Sequence, residues 1–598
     1  MTTTREPSHP SRGASGWLPA WTLLAALALG FGLGGPALIE PDEGRNAAIA
    51  AEMVDGGELW LPRLEGLPYL DKPFLFFTLI AGSIRLLGRD ELAVRLPALL
   101  SAWATVALVG WFGARRLGSR AGLVAALAIA TTPLFVAFAR TAIFDATLCL
   151  CVTAALVCFH HAVEEGAAEE SPGNDDGDDS RRGGMRPPAA ARRWALAAWS
   201  AIGVGVLVKG PVALVLPLLV VLPWAAWLRR LRRLASPLAL LAFAVLVVPW
   251  TWAVERELPG FLRYVVVTET WQRMTSDALE RSEPVWFFVP FVLAGFLPWS
   301  LAALAAAPAG WRQRRRGAET RLVVFLALWV ALPLLLFSLS RSKQPQYVLP
   351  LAPAVALLAA WGLRGAGARR GAIAGAAGWA VLAVPLVLTG LQVIPVETRV
   401  DAETSAGIYS AGLGLGAAAL MSAAATAVLV RRRRRLEWTL LTLTLPVVLF
   451  PWITARSLGE IAEIRSSRGI AAALAERMGP ESRLIGIETY SPTLSFYLGR
   501  RTLVSSRDGA PFRANYVMHA YPRLVDGQAG SLRPEGWWRR ALAECASPDF
   551  FVVDRQWTAS RDELEAAGLE PFHEAFRLLA YGPCRPAAAA SDGEETGR

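Results

Sequence analysis

The chain has 598 residues, of which 54% are hydrophobic and 18% charged, with a net charge of +10 and a mean hydropathy of +0.37. A soluble chain of this length carries about 25% charge and divides into several water-facing domains, so the balance excludes a cytosolic enzyme, a disordered protein and a disulfide scaffold. The positive charge lies in short Arg clusters between apolar segments (Arg115-Arg116, Arg229-Arg230, Arg232-Arg233, Arg314 to Arg316, Arg369-Arg370, Arg431 to Arg435), the pattern of cytoplasmic loops and not of a nucleic-acid-binding patch.

A membrane span needs about 20 mostly apolar residues. In chain order the sequence predicts thirteen, near 17–39, 92–114, 121–139, 141–162, 194–208, 210–228, 234–253, 284–308, 322–340, 346–363, 371–392, 409–430 and 437–455. The first follows Arg5 and Arg12 and reads as a retained anchor that starts in the cytoplasm. Counting from there puts the Arg clusters inside and the C-terminus outside.

The external first loop, 40–90, starts with Glu40-Pro41-Asp42-Glu43-Gly44-Arg45. Pro41 then Asp42 opens a helix, with Asp42 a candidate N-cap. Arg45 in the first turn opposes the helix dipole, so another partner should hold it. Ile49 and Met53 lie four apart and predict a helix resting in the membrane interface; Phe74 to Leu87 is a second such segment. Residues 163–193 read as a low-complexity linker, and 194–228 as a hairpin bent at Lys209-Gly210-Pro211. Residues 1–455 thus form a membrane domain.

In 456–598, helical runs at 467–478 and 560–567 alternate with strand-like Arg483 to Ile487 and Phe550 to Val553, a small soluble α/β domain. Cys545 and Cys584 fall there and suit a disulfide in an oxidising compartment. Cys149, Cys151 and Cys158 read as small buried side chains.

Lysine occurs three times, at Lys72, Lys209 and Lys343; every other cation among the 60 is Arg. All three fall on the external side. Each is a compact point charge suited to a phosphate oxygen or a snorkelling interfacial cation. Asp42, Glu43, Tyr69, Asp71 and Lys72 come together at the outer boundary, where a carboxylate beside a cation suits a base and a phosphate clamp. Arg140 and Asp145 sit at the outer end of a hairpin between two spans, either as functional charges or as a structural pair.

The Asp-Glu-Gly-Arg segment, Trp60-Leu-Pro-Arg-Leu-Glu-Gly-Leu-Pro-Tyr-Leu-Asp-Lys-Pro73 and Ser342-Lys-Gln-Pro-Gln-Tyr347 resemble the polyprenyl-phosphate-dependent GT-C glycosyltransferases. The likeness is greatest to the aminoarabinose transferases that modify lipid A, relatives of the protein O-mannosyltransferases, and covers nearly the whole chain. It implies an inverting transfer of a pentose or hexose from a polyprenyl-phosphate donor to lipid A, another glycan or a protein, at the periplasmic face of a bacterial inner membrane. In such enzymes Asp42 is the base, with Glu43 and Asp145 as further catalytic acids. Arg45, Tyr69, Lys72, Arg273, Lys343 and Tyr347 surround the donor phosphate, and Lys209 is a further candidate there. The resemblance requires no cofactor but leaves room for a divalent metal ion, with Asp71 and Asp145 as its carboxylates. Tyr490 and Tyr497 are candidates for the acceptor mouth or for ordinary core positions. The competing reading is a transporter or flippase of lipid-linked sugars.

Overall fold

The computed structural model describes residues 17–165, 189–272, 283–314, 317–395, 402–575 and 577–584, without the side chains of 270–272 and 402–404. Residues 1–16, expected in the cytoplasm, most of the expected linker and Arg273 lie outside the described residues.

The chain is a polytopic helical membrane protein with a C-terminal mixed α/β domain. Each of the thirteen apolar segments is helical. Among the described residues, eight helices are long and apolar enough to cross a membrane, or up to ten if two bent pairs each count once. The bent pairs are Ser119–Ala130 with Pro133–Ala139, at 65°, and Phe288–Gly295 with Trp299–Gln313, at 87°. The other three segments are the shorter Trp17–Ala28 and Val212–Trp227 and Ala189–Lys209, which carries charge at both ends. Local signals set the boundaries. Asp90 caps Glu91–Leu117 by accepting from the Ala93 N–H at 2.7 Å, and Ser236 with Pro237 starts Pro237–Glu257.

Arg116 and Arg230, from two of the Arg clusters, meet the C-terminal end of helix Asp145–Glu165 together with Arg321. Glu164 takes both Nε and Nη2 of Arg321 at 2.7 Å, and Arg230 lies 3.5 Å from it. Glu165 accepts from Arg116 at 3.4 Å and from the Trp194 indole at 2.9 Å. These residues close helix Asp145–Glu165, whose 21 residues rise about 30 Å. Its other end carries Asp145 and faces the first loop.

In that loop, helices Asp42–Gly56 and Leu75–Leu87 flank a hairpin of β1 (Arg63–Leu64) and β2 (Leu67–Pro68). Glu65 (φ 58°) and Gly66 (φ 78°) both hold left-handed backbone, as a two-residue type I′ turn requires. The expected interfacial stripe is corrected. Ile49 and Met53 face protein, in a core shared with Phe76, Phe77, Tyr490, Phe496 and Val517, because the C-terminal domain covers the loop. Gly44 permits that contact, since a Cβ there would stand 2.5 Å from Thr493 Cγ2 and 3.0 Å from its backbone nitrogen.

The C-terminal domain contains the expected helices, as Arg468–Ala475 and Thr558–Ala566. Among the described residues its six strands are β3 (Leu484–Ile487), β4 (Thr502–Ser506), β5 (Leu532–Pro534), β6 (Phe550–Asp554), β7 (Pro571–Ala575) and β8 (Leu578–Tyr581), in the order β5-β4-β3-β6-β8-β7. β5, β4, β3 and β6 are parallel; β8 and β7 extend the sheet antiparallel. β3 and β6 are buried along their whole length, as central parallel strands are. Cys545 and Cys584 are joined in a disulfide.

Candidate active site

Asp42 is the first residue of its helix, and Pro41 takes the cap position without a side-chain bond. The capping expectation is therefore corrected. The Asp42 carboxylate turns to Arg45, one turn on, and stays 52% exposed. Arg45 also donates to the Arg513 carbonyl at 3.3 Å and stands 5.9 Å from the centre of the Tyr69 ring. A carboxylate in its own first turn and a carbonyl of the C-terminal domain thus offset the unfavourable dipole.

The adjacent acid is in the opposite situation. Glu43 is 3% exposed. Its oxygens accept Arg95 Nε and Nη2, both at 2.8 Å, the Ala142 N–H at 2.9 Å and the Ile39 N–H at 3.1 Å. Four donors fill a carboxylate, which leaves Glu43 a positioning residue. Arg95 spends its remaining donors on the carbonyls of Leu33, Pro36 and Ala37.

Asp71 and Lys72 follow the hairpin. Asp71 Oδ1 accepts the Tyr264 hydroxyl at 2.7 Å and the Tyr516 N–H at 2.8 Å, and Oδ2 the Asn515 N–H at 2.7 Å. It holds the N-terminus of helix Asn515–Asp526, a favourable place for an anion. The Lys72 ammonium donates to the Asp71 carbonyl at 2.5 Å and lies 3.5 Å from Glu269 Oε2. Glu269 also accepts from the Asn515 side chain. Burial, and next the Glu269 charge, push the Asp71 carboxyl up. Burial likewise raises the Tyr69 and Tyr264 phenols, so both remain donors.

A second group stands on the neighbouring hairpin. Asp145 opens its helix and meets Lys209 Nζ at 2.5 Å; that ammonium lies 5.6 Å from the Tyr347 ring centre. The Arg140–Asp145 pair does not form, because Arg140 donates to the carbonyls of Leu29 and Phe31 at 2.8 and 2.7 Å. Lys343 is buried and donates to the carbonyls of Ser340 and, at 2.7 Å, of Glu283. Asn46 donates to the Ala142 carbonyl at 2.8 Å, so this hairpin hangs on the same helix that presents Asp42.

Asp71 and Asp145 do not fit a shared metal ion. Both Asp71 oxygens receive N–H or O–H donors, Asp145 pairs with Lys209, and among the described residues no three His, Cys, Asp or Glu side chains converge. Tyr490 and Tyr497 serve docking: Tyr490 donates to Glu65 at 3.0 Å, and Tyr497 donates to Glu91 at 2.9 Å while accepting the Leu38 N–H.

Sequence reasoning missed Arg95, Tyr264 and Asn515. Arg95 carried a usable signal, a lone Arg near the end of an apolar span. Tyr264 and Asn515 did not, because their partner Asp71 is 193 and 444 residues away.

Residues 71–170 match the family of dolichyl-phosphate-mannose-protein mannosyltransferases. The chain is 30% identical over 335 residues to an undecaprenyl phosphate-alpha-4-amino-4-deoxy-L-arabinose arabinosyl transferase of Erwinia tasmaniensis, covering 55% of this chain and 56% of that one. It is 33% identical over 326 residues to the Pseudomonas aeruginosa protein of the same name, covering 53% and 54%. The chain thus spans about half the length of the curated relatives it matches. The crystal structure of ArnT from Cupriavidus metallidurans bound to undecaprenyl phosphate aligns over 96% of this chain and 98% of its own, with a TM-score of 0.78 at 24% identity. That likeness shows the fold.

Proposed function

We propose that the chain is an inverting glycosyltransferase that moves an aminoarabinose-like pentose from undecaprenyl phosphate to lipid A. The observation that carries this reading is the contrast within Asp42-Glu43. One carboxylate is saturated and buried; the other is half exposed and aimed by Arg45 beside Tyr69 and the Asp71–Lys72–Glu269 group. Similarity to two arabinosyl transferases that act on undecaprenyl phosphate supports the substrate class. All thirteen helical segments would cross or enter the bacterial inner membrane, with the first loop and the disulfide-bonded C-terminal domain in the oxidising periplasm.

The chemistry follows from the charges. The donor's tail lies in the bilayer and its phosphate meets the ammonium of Lys72, with Arg45 and Tyr69 beside it; Lys343 and Arg273 serve the same phosphate. Asp42 accepts the proton of the acceptor hydroxyl. The acceptor oxygen bonds to the anomeric carbon as the bond from that carbon to the phosphate oxygen breaks on the opposite face. The leaving polyprenyl phosphate keeps the electron pair, and the configuration inverts. Positioning and stabilisation of the leaving charge supply most of the acceleration. Lys209 pairs with Asp145 at the mouth of the hairpin and stands beside the Tyr347 ring.

Membranes containing the chain, given radiolabelled undecaprenyl-phosphate aminoarabinose and lipid A, should yield labelled lipid A of inverted configuration. Label that crosses the membrane still attached to the polyprenyl carrier, with none on any acceptor, would instead support a flippase.

A further inference from the structure

The C-terminal sheet carries a cavity beyond its strand ends. From β3 the chain runs outward through β4 to β5, then returns to β6 on the other side of β3. The connections leaving the carboxyl ends of β3 and β6 therefore part in opposite directions. Open parallel sheets bind ligands in the crevice that such a reversal leaves beyond the strand ends. A cavity of 260 Å³ lies at this place, close to the lower limit of small-molecule pockets at about 300 Å³.

Its lining is chemically specific. Glu488 follows β3, Asp508 follows β4, and Gln556 and Trp557 follow β6, while Arg513 and Arg577 form the wall toward the first loop. Arg513 makes no ion pair among the described residues, and Arg577 is oriented by Asp554 at 2.9 Å. A smaller cavity shares Arg513 and Arg577 and adds Arg45, so the crevice continues to the residue that holds Asp42. Burial, and next the charge of Arg577, disfavour the Arg513 guanidinium. Cations gathered in this way suit a phosphate, whose oxygens match guanidinium forks. Trp557, 37% exposed, offers an aromatic face, and the acids and Gln556 offer hydrogen-bonding partners for hydroxyls. Glu488 and Arg513 hold left-handed backbone, at φ 45° and 50°, a conformation that side-chain-bearing residues keep where the surroundings over-determine it.

We propose that this crevice binds the phosphorylated sugar head of the acceptor glycolipid, its phosphate on Arg513 and Arg577 and its ring on Trp557, and so delivers the acceptor to Asp42. The inference rests on the transferase reading for its purpose, but binding can be measured without turnover. The purified full chain in detergent would be titrated with lipid A, with dephosphorylated lipid A and with inorganic phosphate. Wild type should prefer lipid A to its dephosphorylated form by tenfold or more, and inorganic phosphate should compete weakly. Arg513→Ala with Arg577→Ala should erase that preference and raise the acceptor KM with the donor KM unchanged. Trp557→Ala should weaken both lipids several-fold. Equal affinity of wild type and the double variant for lipid A would overturn the proposal, as would inorganic phosphate competing as well as glucosamine 1-phosphate. A wild-type measurement guards against a variant that fails to fold. Glucosamine 1-phosphate should slow phenylglyoxal modification of Arg513, mapped by mass spectrometry, and an unchanged rate would again overturn it. A chain that binds lipid A in this way yet transfers no pentose would sink the transferase reading alone; a chain that transfers pentose with unaltered binding in the double variant would sink the crevice alone.

Discussion

The two ends of helix Asp145–Glu165 pair their own acids with different cations. At the C-terminal end, Glu164 and Glu165 are gripped by arginines, with the Arg321 fork seated squarely on Glu164. Around the N-terminal end, Lys209 meets Asp145 through a single contact, Lys343 rests on carbonyls, and Lys72 stands 3.5 Å from Glu269. A guanidinium fork saturates a carboxylate and fixes geometry, whereas an ammonium is a movable point charge suited to a single phosphate oxygen. One end closes the bundle, and the other is the end where we propose the substrate chemistry.

That contrast can be broken at graded cost. The largest effect should come from Arg95→Met, which leaves Glu43 buried without its partner. Such a break costs about 3–5 kcal/mol, and thermal unfolding of the purified chain should show a large fall that Glu43→Gln partly restores. Next, Lys72→Ala should lower donor kcat/KM by about 10²-fold with the unfolding transition unmoved, read from initial rates at varied donor. Glu164→Gln, at the arginine end, should cost only about 1–2 kcal/mol and leave turnover per folded molecule unchanged. The smallest effect concerns docking of the C-terminal domain. Burial, then Glu52 nearby, push the Glu65 carboxyl from 4.5 up to about 7. A raised acid favours the folded state below pH 4.5, and that contribution is lost as the pH rises through about 7. Hydrogen exchange at 63–68 and 502–506, corrected for intrinsic rates, should therefore be faster at pH 8 than at pH 5.5, and Glu65→Gln should flatten the difference.

Much of this architecture was legible because hydropathy and Arg placement are local properties. The thirteen apolar segments, the helix after Pro41, the bend at Gly210 and the strand runs at 484 and 550 all carry their signal within a few residues. What escaped depends on distant partners. Ile49 and Met53 make a stripe that suits lipid or protein equally, and only the C-terminal domain decides between them. The different fates of Asp42 and Glu43 turn on Arg95, and Asp71 reads as a catalytic or metal ligand until Asn515 and Tyr516 are seen to occupy it. The crevice has no linear motif, since it is assembled from the ends of β3, β4 and β6.

The central claim is that the exposed half of the Asp42-Glu43 pair removes the acceptor proton. Single-turnover transfer by purified Asp42→Asn, loaded with donor and lipid A, tests it most directly. The account predicts donor and acceptor affinities near wild type with a rate of sugar transfer lower by about 10²–10⁴-fold; transfer at the wild-type rate would contradict it.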